Sequence, residues 1–489
     1  MPLQLSDDRP FPPGDYPVVV VGSGPGGLQA SYCLSRLGID HAVISRDDAP
    51  GGMFRHYPIF QRLLSWSKPD APADQGTRAY EWFDHNSLLA EEPGNQALVP
   101  TFMDRAYVVP SREEMERGLD AFARRAPVSV RYRCTWEGTR RDEDGRLVLT
   151  TSDGEYRAKA VVFAIGVTTP WLSPIAGIET VPHYVDTRAP AEYRGRSVFV
   201  LGKRNSAFEI ADGLLPWARQ VILGSPRPVQ TAVIAQATVR VRYLQPYEDA
   251  TLGGGTLALD LAVESIERSE RGWRILGNGT TRPGPIDLEV DAAIAATGFS
   301  TPLLDLADLG VRTVSQGRIP ALTPFWETEP GSGIYFAGNA TQGAPGLRKH
   351  GVGAASPAVH GFRYNARVMA RHLAGTHLDA RACEERVEGD LVPYLLEELT
   401  KAPELWAQKS YLARSVSVDG ASDIVPLAHF LDAPGPDAVA VTVEMNAAGE
   451  TYPAVYLRQN GEIRERMLSP HLVNDFRGHE HERELRGLL

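Results

Sequence analysis

The chain has 489 residues, enough for two or three domains and a large core. Hydrophobic residues make up 43% and charged residues 23%, which is ordinary for a soluble globular protein. The 50 basic and 61 acidic residues give a net charge of −11, and an acidic surface argues against general binding to nucleic acid or to anionic membranes.

Signals for targeting and for thiol or metal chemistry are few. The polar, proline-rich residues 1–16 lack the apolar segment of a signal peptide, and no stretch reaches the roughly 18 apolar residues that span a membrane. We therefore expect a cytoplasmic protein without a membrane partner. Cys33, Cys134 and Cys383 form neither a C-x-x-C pair nor a zinc-ligand spacing, so neither dithiol electron transfer nor a metal site is expected.

The first candidate nucleotide site follows a run of four valines, residues 18–21. A glycine-rich turn comes next, then a helical pattern over residues 27–38 and a strand pattern over residues 41–44. Such a turn lets a pyrophosphate approach the bare backbone, and the helix N-terminus offers free N–H groups to it. The candidate cofactor-binding residues of this turn are Gly22, Ser23, Gly24, Pro25, Gly26 and Gly27.

The second strand of this unit ends without the glutamate that commonly binds a ribose diol. Ser45 occupies that position, so Ser45 or Asp47 would bind the ribose, with Arg46 between them. A Gly-Gly pair soon afterwards is typical of FAD-binding chains, and it adds Gly52 and Met53 to the candidate cofactor-binding residues.

The next elements are less regular. Residues 48–110 contain many Pro, Trp and Tyr residues and show little periodicity. Ser111 and Glu114 form a capping box that predicts the start of a helix. Strand patterns then follow at residues 128–136, 147–151 and 155–164.

Residues 196–223 repeat the strand–turn–helix–strand unit with a different turn. Arg204 stands where glycine is usual, and Lys203 and Arg204 at a helix start would form a cationic phosphate clamp. The partner strand leads to Ser225 and Arg227 rather than to an acid, which suits a 2′-phosphate and favours NADPH over NADH. Alternatively, the segment is a structural turn that has lost its nucleotide. The candidate residues are Gly202, Lys203, Arg204, Asn205, Ser206, Ser225 and Arg227.

The remaining patterns predict strands and helices up to the C-terminus. In chain order they are hairpins over residues 225–290, a buried strand over 291–298, a strand over 334–339, a helix over about 356–373, a helix over 379–412 and short strands over 438–468.

Together these elements predict an α/β protein with two dinucleotide-binding, Rossmann-like three-layer domains and a small α+β C-terminal extension. The FAD-binding domain would comprise residues 1–169 and 321–375, with the NADPH-binding domain, residues 170–320, inserted in it. The extension, residues 376–489, would be structural, would form oligomers, or would cap the substrate site. A homodimer is left open.

The motifs in this order resemble the class B flavin-containing monooxygenases over about residues 1–370. The resemblance rests on the two turns and on residues 51–52, 163–166, 296–298 and 335–339. Residues 60–65, 85–89 and 360–364 resemble a narrower branch, the FAD-dependent oxidoreductase-domain proteins related to the endoplasmic-reticulum flavoprotein of protein degradation. The resemblance implies that FAD or the nicotinamide nucleotide also contacts Gly166, Thr297, Gly298, Gly338 and Asn339.

This resemblance implies an NADPH-dependent monooxygenase that uses FAD and O₂. A C4a-(hydro)peroxyflavin would transfer oxygen to a small metabolite, by N- or S-oxygenation or a Baeyer–Villiger reaction. Two other functions stay open: an NADPH-dependent flavin oxidase or reductase without oxygen transfer, and a flavin-bearing binding protein. Bacterial secondary metabolism is the expected setting.

The candidate catalytic residues lie where the sequence departs from the family pattern and in one cationic run. The spacing from Gly177 to His183 differs from the family fingerprint. Ser65 occupies the position of the flavin-facing asparagine, and Asn86 or Asn339 could supply the missing amide. Lys349 and His350 follow the Gly338-Asn339 turn, where a cation would stabilise a reduced, anionic flavin; the bland alternative is a solvated charge run.

Overall fold

The computed structural model describes residues 8–56, 62–230, 239, 242–244, 246–247, 255–351, 353–380, 385–446 and 448–489. The chain divides into two compact units. Unit 1 contains Met1–Arg55, Ser65–Val167 and Thr301–Leu489, and unit 2 contains His56–Leu64 and Thr168–Ser300. By contacts, residues 301–320 and 376–489 therefore lie in unit 1. Which cofactor each domain binds stays a prediction.

The N-terminal part of unit 1 is built on a mixed sheet. Its strands are β1 Gly14–Val21, β2 His41–Ile44, β3 Trp136–Arg141, β4 Leu147–Thr151 and β5 Gly154–Phe163. Strand β1 lies parallel to both β2 and β5, and β4 and β3 continue the sheet in antiparallel fashion. Val18, Val19 and Val20 are fully buried, as expected for a central parallel strand.

Two helices belong to this part, α1 Pro25–Arg36 and α2 Arg112–Arg125. The predicted capping box of α2 is confirmed, because the Ser111 side chain accepts from the Glu114 amide and the Glu114 carboxylate accepts from the Ser111 amide. The strand predicted over residues 128–136 is wrong. Of these residues only Trp136 belongs to a strand, Arg131 forms an isolated bridge to Ile44, and the chain turns at Tyr132 and Arg133.

Unit 2 contains a second six-stranded sheet with the order β11-β10-β9-β8-β7-β12. Strands β12, β7, β8 and β9 run parallel, and β9, β10 and β11 form an antiparallel meander. Helix α3, Asn205–Leu214, follows β7. The strands of unit 2 are β6 Thr169–Pro170, β7 Ser197–Leu201, β8 Gln220–Ser225, β9 Thr256–Ser269, β10 Gly272–Gly279, β11 Pro285–Val290, β12 Ala292–Ala295 and β13 Phe299–Ser300.

The C-terminal part of unit 1 first completes the N-terminal sheet. Strand β16 pairs in parallel with the second half of β5, and helix α4, Val359–His377, then packs on α1. An antiparallel sheet of six strands follows, in the order β17-β19-β18-β20-β21-β22. Strands β18 and β19 lie outside the predicted strand range. The strands are β14 Thr313–Val314, β15 Ile319–Pro320, β16 Ile334–Phe336, β17 Glu385–Arg386, β18 Leu412–Ser417, β19 Ala421–Pro426, β20 Ala438–Met445, β21 Thr451–Gln459 and β22 Glu462–Met467.

The single helix predicted over residues 379–412 is wrong, because Pro403 begins a separate short helix and a strand starts at Leu412. The C-terminal helices are α5 Leu391–Lys401, α6 Pro403–Ala407, α7 Leu427–Asp432 and α8 His479–Arg486. Among the described residues, no helix combines the length and the apolar character needed to cross a bilayer.

Candidate functional site

The first glycine turn joins β1 to α1 and leaves no room for side chains. Gly22 adopts a φ of +113°, and a Cβ added there would lie 2.5 Å from the Ala164 carbonyl oxygen. A Cβ on Gly27 would lie 1.9 Å from the Gly22 oxygen. These two glycines therefore fix the tight turn and the close approach of helix to strand, as the sequence predicts.

Two further glycines close around the N-terminus of α1. Gly52 has a φ of +54°, and a Cβ there would lie 2.9 Å from the Gly24 Cα. A Cβ on Gly26 would lie 2.5 Å from the Gly338 Cα. The structure thus brings together candidates that are 28 and more than 300 residues apart in sequence. The result is a bare-backbone cradle at a helix N-terminus, where amide groups favour a bound anion.

The strand ends beside this cradle are tied by serine side chains. Ser23 Oγ donates to Ser45 Oγ over 2.8 Å, and the amide of Asp47 donates to the same Ser45 oxygen over 3.3 Å. Ser45 is buried, whereas Asp47 is half-buried and Arg46 is exposed. Asp47 is thus the less buried of the two ribose candidates, and which of them contacts a ribose stays a prediction.

The other candidates of unit 1 lie on nearby turns. Pro25 occupies the first position of α1, where a missing N–H costs nothing. Met53 lies in the short 3₁₀ helix Gly52–His56, and Gly166 adopts a φ of +70° shortly after β5. Asn339 is half-buried in the 3₁₀ helix Gly338–Gly343. Their contacts to a cofactor stay predictions.

The second glycine turn, in unit 2, joins β7 to α3. Gly202 has a φ of +138°, and a Cβ there would lie 2.7 Å from the Ala296 oxygen, so it repeats the role of Gly22. Arg204 is the exposed N-cap residue of α3, with extended backbone and no side-chain cap. Its side chain therefore lies in solvent at the helix start, while Asn205 and Ser206 form the half-buried first turn.

Lys203 has a different partner from the predicted phosphate. Its side chain is 2% exposed, and its ammonium group forms an ion pair with the Asp260 carboxylate on β9. The second Asp260 oxygen accepts from Thr281 Oγ1 over 2.5 Å. Lys203 lowers the pKa of Asp260 by hydrogen bonding and charge. The sequence gives no signal for this pair, because the two residues are brought together only by the parallel pairing of β8 and β9.

The end of β8 is cationic and polar. Ser225 is half-buried and pairs in register with Asp260, and Arg227 is exposed two residues later. Since Lys203 compensates Asp260, the exposed charge contributed here by Arg204 and Arg227 is positive. This is the electrostatic setting that a phosphate group requires.

A third strand end of unit 2 carries Thr297 and Gly298. Thr297 Oγ1 donates to the Trp171 oxygen over 2.5 Å, and the Gly298 oxygen is 3.0 Å from the Nε2 of His183. Burial lowers the pKa of His183. The histidine singled out by its unusual spacing from Gly177 therefore packs against the candidate Thr-Gly turn.

Ser65 and Asn86 are brought together in unit 1. The Asn86 amide group, which is buried, donates to the Ser65 oxygen and to Ser67 Oγ, each over 3.0 Å. Asp84 organises the turn, because its Oδ1 accepts from Ser67 Oγ and from the backbone N–H of Asn86. Both N–H groups of the Asn86 side chain are thus engaged within the protein, and contact with a flavin stays a prediction.

Arg363 is a buried residue that no sequence pattern identified as structural. Its guanidinium group is 2% exposed and donates to the carbonyl oxygens of Glu81, Asp84 and Ser87. It therefore fixes the segment that contains Asn86 onto α4. A buried arginine enclosed by carbonyls is visible only after the fold is known.

Lys349 and His350 contact the C-terminal sheet. Lys349 Nζ is 2.5 Å from the Tyr456 hydroxyl and 3.3 Å from Glu444 Oε1, and His350 Nε2 is 3.0 Å from the Tyr452 hydroxyl. Both residues are exposed, and these contacts attach them to the sheet. Whether either residue also reaches a flavin stays a prediction.

The part of the sequence that contains both glycine turns matches a known protein family. The family model of the pyridine nucleotide-disulphide oxidoreductases matches residues 19–338. The chain belongs to this family. It is therefore a flavin-dependent oxidoreductase of α/β fold, as the sequence predicts.

Relatives within and around this family agree with the predicted resemblance. The mouse protein named FAD-dependent oxidoreductase domain-containing protein 2 is 28% identical over 404 residues, which cover 75% of this chain. The match spans 58% of the mouse protein, so much of that relative has no counterpart here. A ferredoxin–NADP reductase of Salinispora tropica is 28% identical over 74% of this chain and 97% of its own length.

Solved structures of this kind share the fold. The cadaverine monooxygenase DfoA of Erwinia amylovora, solved with FAD bound, superposes with a TM-score of 0.58 at 14% identity. The match covers 77% of this chain and 98% of DfoA. The remaining part of this chain is therefore additional to the shared fold.

Proposed function

We propose that the protein is an FAD-dependent, NADPH-using monooxygenase that acts on a small metabolite with O₂. The observation that carries the proposal is the difference between the two glycine turns. The first is a cradle of bare backbone, whereas the second presents an exposed arginine at its helix start.

The first cradle fits the pyrophosphate of FAD. Added Cβ atoms at Gly22, Gly26 and Gly27 would meet the protein's own backbone at 2.5 Å or less, so these glycines allow the close packing of the turn around the N-terminus of α1. Gly24, Gly52 and the amides of α1 would hold the diphosphate, and Asp47 the ribose. Bound FAD would accept a hydride and deliver electrons to O₂.

The second turn supports NADPH over NADH. Arg204 and Arg227 are exposed, and Ser225 adds a hydroxyl at the strand end where a ribose acid would select NADH. Asp260, which pairs in register with Ser225, is engaged by Lys203. A 2′-phosphate would therefore meet net positive charge.

The cysteines support transfer of electrons to O₂ rather than to a disulfide. The sequence has three cysteines and no C-x-x-C pair. Cys33 is buried on α1 and Cys134 is buried just before β3, and burial raises the pKa of both thiols. A raised pKa disfavours the thiolate that exchange with a disulfide requires.

The test follows NADPH oxidation together with O₂ uptake, peroxide release and product mass. Candidate amines, thioethers and ketones are supplied to the FAD-loaded protein. The proposal predicts that one class accelerates NADPH oxidation and gains the mass of one oxygen atom, with little peroxide. Substrate-independent peroxide release would contradict it.

A second candidate function is an NADPH-dependent reductase without oxygen transfer. The ferredoxin–NADP reductase relative, matched over 97% of its length, favours it. This candidate predicts rapid NADPH-driven reduction of an artificial one-electron acceptor under anaerobic conditions and no oxygenated product with any substrate class.

A further inference from the structure

The loop that follows the Gly338–Gly343 helix is bound to the face of the C-terminal sheet. Leu347 packs against the hydrophobic cluster of that sheet, which includes Phe430, Tyr452 and Tyr456. A Cβ on Gly346, whose φ is +67°, would lie 2.7 Å from the Tyr411 ring. The sheet therefore determines where this loop lies.

The same loop contains a strained residue between its contacts. Arg348 has a φ of +49°, a left-handed conformation that costs a non-glycine residue about 1 kcal/mol or more. Such a conformation persists when neighbouring contacts impose it. Leu347 and Lys349, on either side, provide those contacts.

The centre of the polar contacts is Glu444 on β20, which is fully buried. Its Oε1 accepts from the Tyr456 hydroxyl over 2.6 Å and lies 3.3 Å from Lys349 Nζ. Its Oε2 accepts from the Tyr452 hydroxyl over 2.9 Å. A buried carboxylate needs such partners, because an unpaired charge in the interior is very costly.

The direction of these hydrogen bonds fixes the protonation of His350. Tyr452 has one hydroxyl proton, which it donates to Glu444, so its oxygen accepts from His350. His350 Nε2 therefore carries a proton, and in the neutral ring Nδ1 is the basic nitrogen. No described residue hydrogen-bonds to that Nδ1.

The charged and titratable groups of the described residues around this loop lie on the loop itself and on three strands of the sheet, and of these Tyr452 contacts His350. They are Lys349 of the same loop, Glu444 on β20, Tyr452 and Tyr456 on β21, and Glu465 on β22, which pairs with Lys349. Burial raises the pKa of both tyrosines, which keeps their hydroxyl protons in place across the neutral range.

This sheet lies beyond the family match, which ends at residue 338. The superposition with DfoA covers 77% of this chain and 98% of DfoA. Part of this chain therefore lies outside the shared fold. This addition holds a loop that directly follows the candidate cofactor turn at Gly338 and Asn339.

We propose that Glu444 is a positioning residue of the flavin site. It holds Lys349 through Tyr456 and His350 through Tyr452, and with FAD bound beside this loop the Nδ1 of His350 would be available for the proton that accompanies two-electron reduction. The inference rests on the proposed function, because it requires bound FAD near this loop. The C-terminal sheet would then contribute to the flavin site by holding Lys349 and His350 in position.

The positioning part is tested by hydrogen exchange of the whole protein, detected by mass spectrometry. Glu444→Gln removes the charge, and exchange of residues 344–351 should rise about tenfold or more. The matched control is Glu462→Gln on β22, whose side chain is 78% exposed and does not contact the loop. Equal protection of the loop in both variants would overturn the proposal.

The proton-exchange part is tested by the flavin midpoint potential as a function of pH, measured with dithionite so that NADPH is not needed. Tyr452→Phe removes the link to His350, and Tyr456→Phe removes a link to Lys349. We expect the pH dependence of the potential in Tyr452→Phe to differ in shape from that of wild type, whereas Tyr456→Phe keeps the shape of the wild-type plot. Identical plots for wild type and Tyr452→Phe would overturn the inference and leave the proposed function standing, whereas failure to bind FAD would overturn both.

Discussion

Glu209 provides a quantitative test of the structure of unit 2. It lies on α3, is 9% exposed, and accepts from the Tyr184 hydroxyl over 3.2 Å. Burial raises the pKa of Glu209 from 4.5 to about 8, and the Tyr184 hydrogen bond offsets only part of this effect. The folded protein therefore keeps a proton that the unfolded chain releases at a much lower pH.

The direction of the pH dependence follows from the coupling between proton binding and folding. Between these two pKa values the folded state binds more protons, so the contribution of Glu209 to stability is most favourable below pH 4.5 and falls as pH rises to about 8. A shift of about 3.5 units at about 1.4 kcal/mol per unit amounts to about 5 kcal/mol. Glu209→Gln removes this loss, so the variant should exceed wild type by up to that amount at about pH 9, with little difference near pH 4.

The assay is urea unfolding of wild type and variant across this pH range. Glu179→Gln, which changes an exposed acid of the same unit, is the control and should track wild type. If Glu209→Gln loses stability in parallel with wild type as pH rises, the carboxyl is not buried as described.

Three further predictions concern the two nucleotide turns. Gly26→Ala places a Cβ 2.5 Å from backbone and should weaken FAD retention at least about tenfold. Retention is measured as the flavin-to-protein ratio after gel filtration. The control Gly375→Ala, where an added Cβ meets no atom within 4 Å, should retain FAD as wild type does. Arg227→Ala should raise the KM for NADPH about tenfold and leave that for NADH unchanged, and an equal rise for both would argue against a 2′-phosphate contact. Lys203→Met leaves a partly buried carboxylate uncompensated and should lower the unfolding free energy by about 2 kcal/mol in thermal melts, whereas unchanged stability would refute the ion pair.

Local patterns predicted the first nucleotide turn well. The valine run, the glycines and the following strand at His41–Ile44 all have short-range physical causes, so their bounds match the structure closely. The contact between Gly26 and Gly338 could not be predicted, because it depends on how β16 joins the sheet beside β5.

Predictions failed where tertiary partners decide the structure. Residues 128–136 have strand-like composition, yet the chain turns there and the strand begins at Trp136. Lys203 has the position of a phosphate ligand, but Asp260 on a later strand engages it. Likewise, Lys349 and His350 form a cationic run in the sequence. Their partners, Glu444 and Tyr452, lie about 100 residues later on the C-terminal sheet, so they could not be predicted from the local pattern.

The central claim, that NADPH reduces FAD bound in this fold, is tested most directly by anaerobic reduction of the FAD-loaded protein with each nicotinamide in turn. The visible absorbance of the flavin reports the rate. The account predicts reduction by NADPH at least about tenfold faster than by NADH at equal subsaturating concentrations, as expected for loss of a charge-assisted contact. Equal rates, faster reduction by NADH, or no reduction by either nucleotide would contradict it.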